Sequence, residues 1–336
     1  MNQLLGLVLI SFVFGGILLV PFIDLLFALR KKYKKRTNLP LDINSPIHNQ
    51  ILKGKDTKVP VGGGLLLIPV IVTLSILVFI SSGKKINVEL YSLIFTIVTF
   101  GYIGLLDDVR KIFTDFNGKF AGLRSRYILL LQTFFAFLVS LILYYFLGLN
   151  NIFIPILGNI ILGWWYIPLA VLSIVSFANA YNISDGLDGL STGLLLICLF
   201  AFLVLAHAVF DQTISSFVGI WIGVIIAYLY FNVFPARIYL GDAGAFGFGA
   251  TLAVVGLLTG KIVGLGIIGG VYIMIVASSL IQILSKKFFK KKFLPITPIH
   301  MYLKYIGWEE PKIVVRFWLV GVIFAIFGLW LSLFSK

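Results

Sequence analysis

The uncharged run Tyr127–Ser184, YILLLQTFFAFLVSLILYYFLGLNNIFIPILGNIILGWWYIPLAVLSIVSFANAYNIS, decides the architecture before any motif is considered. It contains no Asp, Glu, Lys or Arg, and it is too long for one bilayer crossing, which takes about 20 apolar residues. Turn residues gather at Gly148-Leu149-Asn150-Asn151. The run therefore divides into two spans, 127–147 and 161–180, joined by a short outer hairpin around Pro155. Outward from it, apolar stretches at 4–29, 61–82, 90–106, 189–209, 214–234, 244–260, 263–285 and 314–334 bring the spans to ten. The expected fold class is all-α, a polytopic membrane helical bundle forming a single domain over residues 1–336.

Composition agrees. Of 336 residues, 60% are hydrophobic and 12% charged, and the mean hydropathy is +1.06, which excludes a water-soluble globule. Lys and Arg number 27 against 13 Asp and Glu, a net charge of +14. With the N-terminus outside, loops 30–60, 107–126, 181–188, 235–243 and 286–313, together with Arg316, hold 23 of the 27 basic residues. Only Lys84, Lys85, Lys261 and Lys336 fall on the other side. Positive-inside asymmetry thus places those loops in the cytoplasm and both termini outside. The charge belongs to topology, and nucleic acid is not an expected partner. Met1-Asn2-Gln3 carries no basic region, so the first span is expected to stay rather than be cleaved. Cys198, the only cysteine, allows no intramolecular disulfide and no thiolate metal cluster.

An ionised carboxylate in hydrocarbon costs about 2.5 to 3.5 kcal/mol, so acids beside spans need a reason. Asp107, Asp108, Asp185, Asp188 and Asp242 all stand at inner ends of spans, in loops assigned to one membrane face. In Gly104-Leu105-Leu106-Asp107-Asp108-Val109-Arg110-Lys111, a continued helix would put Lys111 on one face with Asp107 at i, i+4 and Asp108 at i, i+3. Carboxylates with a lysine suit metal-bridged phosphate chemistry, although an internal ion pair explains the string equally well alone. In Asn179-Ala180-Tyr181-Asn182-Ile183-Ser184-Asp185-Gly186-Leu187-Asp188-Gly189-Leu190, Asp185 and Asp188 would point the same way on a helical turn. Asn182 and Asp185 offer the donors and acceptors that read a base or sugar, and Asp185 as the cap of the next helix is the plainer reading. In Asn232-Val233-Phe234-Pro235-Ala236-Arg237-Ile238-Tyr239-Leu240-Gly241-Asp242-Ala243-Gly244, one acid among glycines at a helix start could hold a cation. Tyr239 is a candidate stacking platform or an interfacial aromatic. Last, Lys286, Lys287, Lys290, Lys291 and Lys292 are largely topological, and His300 follows Pro295-Ile296-Thr297-Pro298-Ile299 where it can reach a phosphate or an acid.

Together the four strings resemble the polyprenyl-phosphate N-acetylhexosamine-1-phosphate transferases, most closely the MraY type, the phospho-N-acetylmuramoyl-pentapeptide transferases. The tail Gly307-Trp308-Glu309-Glu310-Pro311-Lys312, with Val315-Arg316-Phe317-Trp318, is similar to the same branch. The resemblance implies transfer of phospho-MurNAc-pentapeptide from UDP to undecaprenyl phosphate with Mg²⁺, giving lipid I and UMP for peptidoglycan, at the inner membrane. It makes Asp242 the Mg²⁺ ligand, Asp107 the base or the orienter of the lipid phosphate, Asp108 its catalytic neighbour and Lys111 a phosphate contact. It assigns Asn182, Asp185, Gly186, Leu187 and Asp188 to the nucleotide and metal region, with Asn232 beside them, Tyr239 as the base-stacking aromatic and His300 as the first of a histidine cluster. It also suggests a homodimer. Here Met301 and Tyr302 follow His300, Lys304 stands where an acid is common, Ala245 replaces a serine, and either Lys55 or Lys58 would correspond to a family lysine. A UDP-GlcNAc-1-phosphate transferase for another surface polymer is therefore the alternative, and a cation-coupled transporter a remote one.

Overall fold

The computed structural model describes residues 2–33, 59–83, 86–114, 122–155, 157–208 and 211–334. Among them are ten helices long and apolar enough to cross a membrane, as the sequence predicts. The helices are α1 (Asn2–Tyr33), α2 (Gly63–Ser81), α3 (Val88–Thr114), α4 (Ser125–Leu147), α5 (Tyr166–Ser184), α6 (Leu190–Ala208), α7 (Gln212–Asn232) and α8 (Gly241–Leu258). Four more follow: α9 (Ile262–Ile268), α10 (Gly270–Phe289), α11 (Ile299–Tyr305) and α12 (Glu310–Leu333). The protein is a polytopic all-α membrane bundle whose one sheet among the described residues is a two-stranded hairpin, β1 (Asn151–Ile154) and β2 (Gly158–Ile161).

Helix boundaries follow local chemistry. At one end of the bundle Asn87 accepts the Leu90 N–H at 3.0 Å, capping α3, and Asp211 accepts the Ile214 N–H at 2.9 Å, capping α7. Gly148 closes α4 in the left-handed region, φ 66°, where a side chain is disfavoured. The expected hairpin around Pro155 forms, with Asn151 opposite Ile161 and Ile154 opposite Gly158. Its Phe153 ring lies 3.6 Å from the Lys261 ammonium, and burial beneath the hairpin lowers the Lys261 pKa.

Two expectations need correction. The stretch 263–285 is not one span: α9 ends at Ile268 and α10 begins at Gly270, so the spanning helix is Gly270–Phe289. A side chain at Gly269 would come within 2.7 Å of the Phe177 ring and one at Gly270 within 2.9 Å of Phe324, so the break lets two aromatic rings approach. The stretch 90–106 is too short, because α3 runs on to Thr114 and carries its acids on helix.

α8 is the central element, 83% buried, with α2, α3 and α5 packed around it. Its sequence, GDAGAFGFGATLAVVGLL, is rich in small residues, which in lipid substitute close backbone contact for a hydrophobic drive. The tightest crossing is with α3. A Cβ at Gly104 would land on the Asp242 carbonyl and within 2.5 Å of the Ala243 nitrogen. Gly104→Val is therefore expected to destabilise the bundle by about 1–3 kcal/mol. Thermal unfolding in detergent should show the lower midpoint, whereas Gly266→Ala, with nothing within 4 Å of its new methyl, should leave the midpoint near wild type.

Candidate active site

Because α3 continues past Leu106, Lys111 falls one turn beyond Asp107, and the ammonium lies 2.8 Å from the Asp107 carboxylate. The same ammonium donates to Asp242 on the first turn of α8. Asp242 also accepts a hydrogen bond from the Asn182 amide at 2.7 Å, and Asp107, 4% exposed, accepts the Leu123 N–H at 2.5 Å. Three segments separated in sequence thus meet around one cation. Asp107, Lys111, Asn182 and Asp242 form one cluster.

Asp108 does something else. Its two oxygens accept the backbone N–H groups of Asp242 and Ala243 at 3.2 and 3.1 Å. A helix begins with N–H groups that have no partner inside it and with a positive dipole end. Asp108 supplies the missing acceptors from a neighbouring helix, which fixes the direction in which α8 presents Asp242.

The segment between α5 and α6 corrects the helical-turn reading. α5 stops at Ser184 and α6 starts at Leu190, with Gly189 at φ 77° between them. Asp185 and Asp188 take different partners: the Ser191 hydroxyl donates to Asp185 at 2.5 Å, while Asp188 accepts the Ala236 N–H at 3.0 Å. Asp188 is buried and ties its loop to the next. Gly186 faces His300, which is 1% exposed; a Cβ at 186 would come within 2.6 Å of its Nε2. Leu187 is buried beneath this turn.

The remaining residues support the loop 233–240. Asn232, 3% exposed, accepts the Thr192 hydroxyl at 2.9 Å and donates to the Ile238 carbonyl at 3.0 Å, so its amide serves structure. Half-buried Tyr239 accepts through its carbonyl the N–H groups of Gly62 and Gly63 at 3.0 and 2.9 Å, and its own N–H donates to Pro60. The early glycine string is thereby bound to the Asp242 segment, a link no spacing rule suggests. Lys55 and Lys58 lie outside the described residues. Sequence reasoning also passed over Gln132, which accepts the Asn179 amide at 2.7 Å one turn below Asn182, and Glu310, which accepts the Asp188 N–H at 2.8 Å. Glu310 stands in a string already quoted for its resemblance, which was its only signal.

Among the described residues no group of three or more His, Cys, Asp and Glu side chains could enclose a metal. Asp242 could still hold Mg²⁺, which is bound through one or two carboxylates and completes its shell with water and substrate phosphates.

A family model described as glycosyl transferase family 4 matches residues 90–260. A phospho-N-acetylmuramoyl-pentapeptide-transferase of Oceanobacillus iheyensis is 32% identical over 287 residues, covering 83% of this chain and 85% of that protein. Proteins of the same name from Borreliella burgdorferi and Bacillus subtilis are 32% and 31% identical over 293 and 281 residues. The alignments cover 81% and 83% of this chain, and 81% and 85% of those proteins.

Loss of the Asp108 cap should cost about 1 kcal/mol and misdirect Asp242. Asp108→Ala is expected to lower both the thermal midpoint and turnover, with Asp108→Asn, which keeps one acceptor, falling between it and wild type in both measurements.

Proposed function

The chain belongs to glycosyl transferase family 4 and, within it, to the phospho-N-acetylmuramoyl-pentapeptide transferases, and on that premise we propose that it transfers phospho-MurNAc-pentapeptide from UDP to undecaprenyl phosphate. The products are lipid I and UMP, for peptidoglycan. The observation that carries the reading is Lys111 held between Asp107 and Asp242, with Asn182 on the other oxygen of Asp242.

Two anions, a sugar diphosphate and a lipid phosphate, must approach each other for the reaction to occur. Lys111 is the fixed cation that offsets their repulsion and contacts the phosphate oxygens. Asp242 would hold Mg²⁺, which when bound supplies further charge for the diphosphate and the leaving UMP. A phosphate with a second pKa near 6 is mostly dianionic at neutral pH, so Asp107 need not remove its proton and instead orients the lipid phosphate through the Lys111 ammonium that it holds. Its rigid mounting supports this role, since the Leu123 N–H and Lys111 occupy its two oxygens. Asn182 and Asp185 bind the nucleotide end, with Tyr239 as the stacking face for the base, and His300 buttresses the turn at Gly186. The lipid tail stays in the bilayer while its phosphate reaches the helix ends. The site faces the cytoplasm at the inner membrane, with both termini on the opposite side, a placement that the distribution of lysine and arginine supports.

Purified protein should release UMP only when a UDP-amino-sugar, polyprenyl phosphate and a divalent cation are all present, and chelation should stop it. Asp242→Asn should lower turnover by about 100-fold or more while the melting midpoint stays near wild type; retained turnover would remove Asp242 from its role.

One observation favours a second donor. Met301 and Tyr302 replace the histidines that follow His300 in the resemblance, and Met301 is buried. Offering UDP-MurNAc-pentapeptide and UDP-GlcNAc side by side decides: the first should be used at least about tenfold better in kcat/KM, a gap that one or two well-made hydrogen bonds account for. Preference for UDP-GlcNAc would transfer the chain to synthesis of another polymer.

A further inference from the structure

Glu310 is the first residue of α12, yet it is only 7% exposed. An acid in the first turn of a helix ordinarily serves that helix's own dipole. Here both oxygens turn to other segments: Oε1 accepts the Asp188 N–H at 2.8 Å, and Oε2 pairs with the Lys304 ammonium of α11 at 2.5 Å. Asp188 in turn accepts the Ala236 N–H at 3.0 Å. The segments 185–189, 233–240 and 299–310 are thus joined through two carboxylates, those of Glu310 and Asp188. His300, on the same α11 as Lys304, packs against Gly186 in the same turn.

We propose that Glu310 is a positioning residue of the donor site, acting through the Asp188 amide, and that Lys304 is the cation that holds its carboxylate in place. A buried N–H left without an acceptor carries its full desolvation cost, and a charged acceptor roughly doubles the strength of the bond that prevents it. Removing Glu310 frees the Asp188 amide and loosens the turn that carries Asp185 and Gly186. Lys304, which departs from the family pattern, thereby has a function in this chain: it neutralises a carboxylate buried behind the site. The kinetic part of the inference rests on the transferase reading given above.

The test compares Glu310→Gln, Glu310→Ala and the exchanged pair Lys304→Glu with Glu310→Lys in the full-length protein in detergent. The first readout, which needs no substrate, is hydrogen exchange at the Asp188 amide by mass spectrometry. Glu310→Ala and the exchanged pair should speed that exchange by about tenfold or more, because neither provides an acceptor at position 310, while Glu310→Gln keeps one there and stays closer to wild type. The second is UMP release with each substrate titrated. KM for the UDP donor should rise about tenfold in the same two variants and less in Glu310→Gln, with KM for polyprenyl phosphate unchanged. If Glu310→Ala does not accumulate, Glu310→Asp, charged but one methylene too short, takes its place and must also lose protection. Recovery of both readouts in the exchanged pair would make the ion pair the whole effect and overturn the proposal, as would unchanged exchange in every variant. Should wild type release no UMP, the transferase reading fails, and the exchange data still judge Glu310.

Discussion

The backbone-to-backbone crossing of α3 and α8 at Gly104 is the constraint on which the rest of the molecule depends. Lipid tails are as apolar as the helices, so nothing hydrophobic drives these helices together, and packing must come from close contact. Once Gly104 lies on the Asp242 carbonyl, the next turn of α3 can deliver Asp108 to the amides that open α8. One turn further, Lys111 reaches Asp242 itself. Each polar contact requires the apolar one before it.

Among the described residues three carboxylates, Asp107, Asp108 and Asp242, gather around the Lys111 ammonium, and the oxygens of Asp108 also accept two backbone N–H groups of α8. Acids so arranged at a membrane interface are costly unless an added cation joins them. On the proposed reading, a divalent ion arriving with a diphosphate would meet that need. The Lys304–Glu310 pair, balanced one to one and enclosed behind the loop 185–189, is the contrasting case within the same chain.

Legibility followed the range of the interaction. The ten spans could be read because each is a run of about 20 apolar residues, and the Asp107–Lys111 pair because i, i+4 spacing is a property of one helix. The roles of Asp108 and Glu310 could not be read, since each depends on where an element more than a hundred residues away in sequence places a backbone N–H. The turn 185–189 was misread for a local reason: three-residue spacing suggests a helix, but α5 ends at Ser184 and its C-cap Asp185, at ψ 42°, has already left the helical conformation. The pairing of Gly62 and Gly63 with Tyr239 was hidden because a backbone contact leaves no mark on residue type beyond the glycines themselves.

Loops that carry chemistry between membrane helices have little core of their own, so their order must be borrowed. Here it is borrowed in two ways. The loop 233–240 is held from one side by the strand-like pairing of Tyr239 with Pro60–Gly63, and from the other by Asn232 and Asp188. The loop 185–189 is held by Glu310 and by His300 packed on Gly186. On the proposed reading the side chains left to act, Asp107, Lys111, Asn182 and Asp242, extend from helices, with the open first turn at Asp242 capped by Asp108, so a substrate could draw on them without unfolding what supports them. Preorganisation of this kind lets charge be stabilised in the transition state without reorganisation at the moment of reaction.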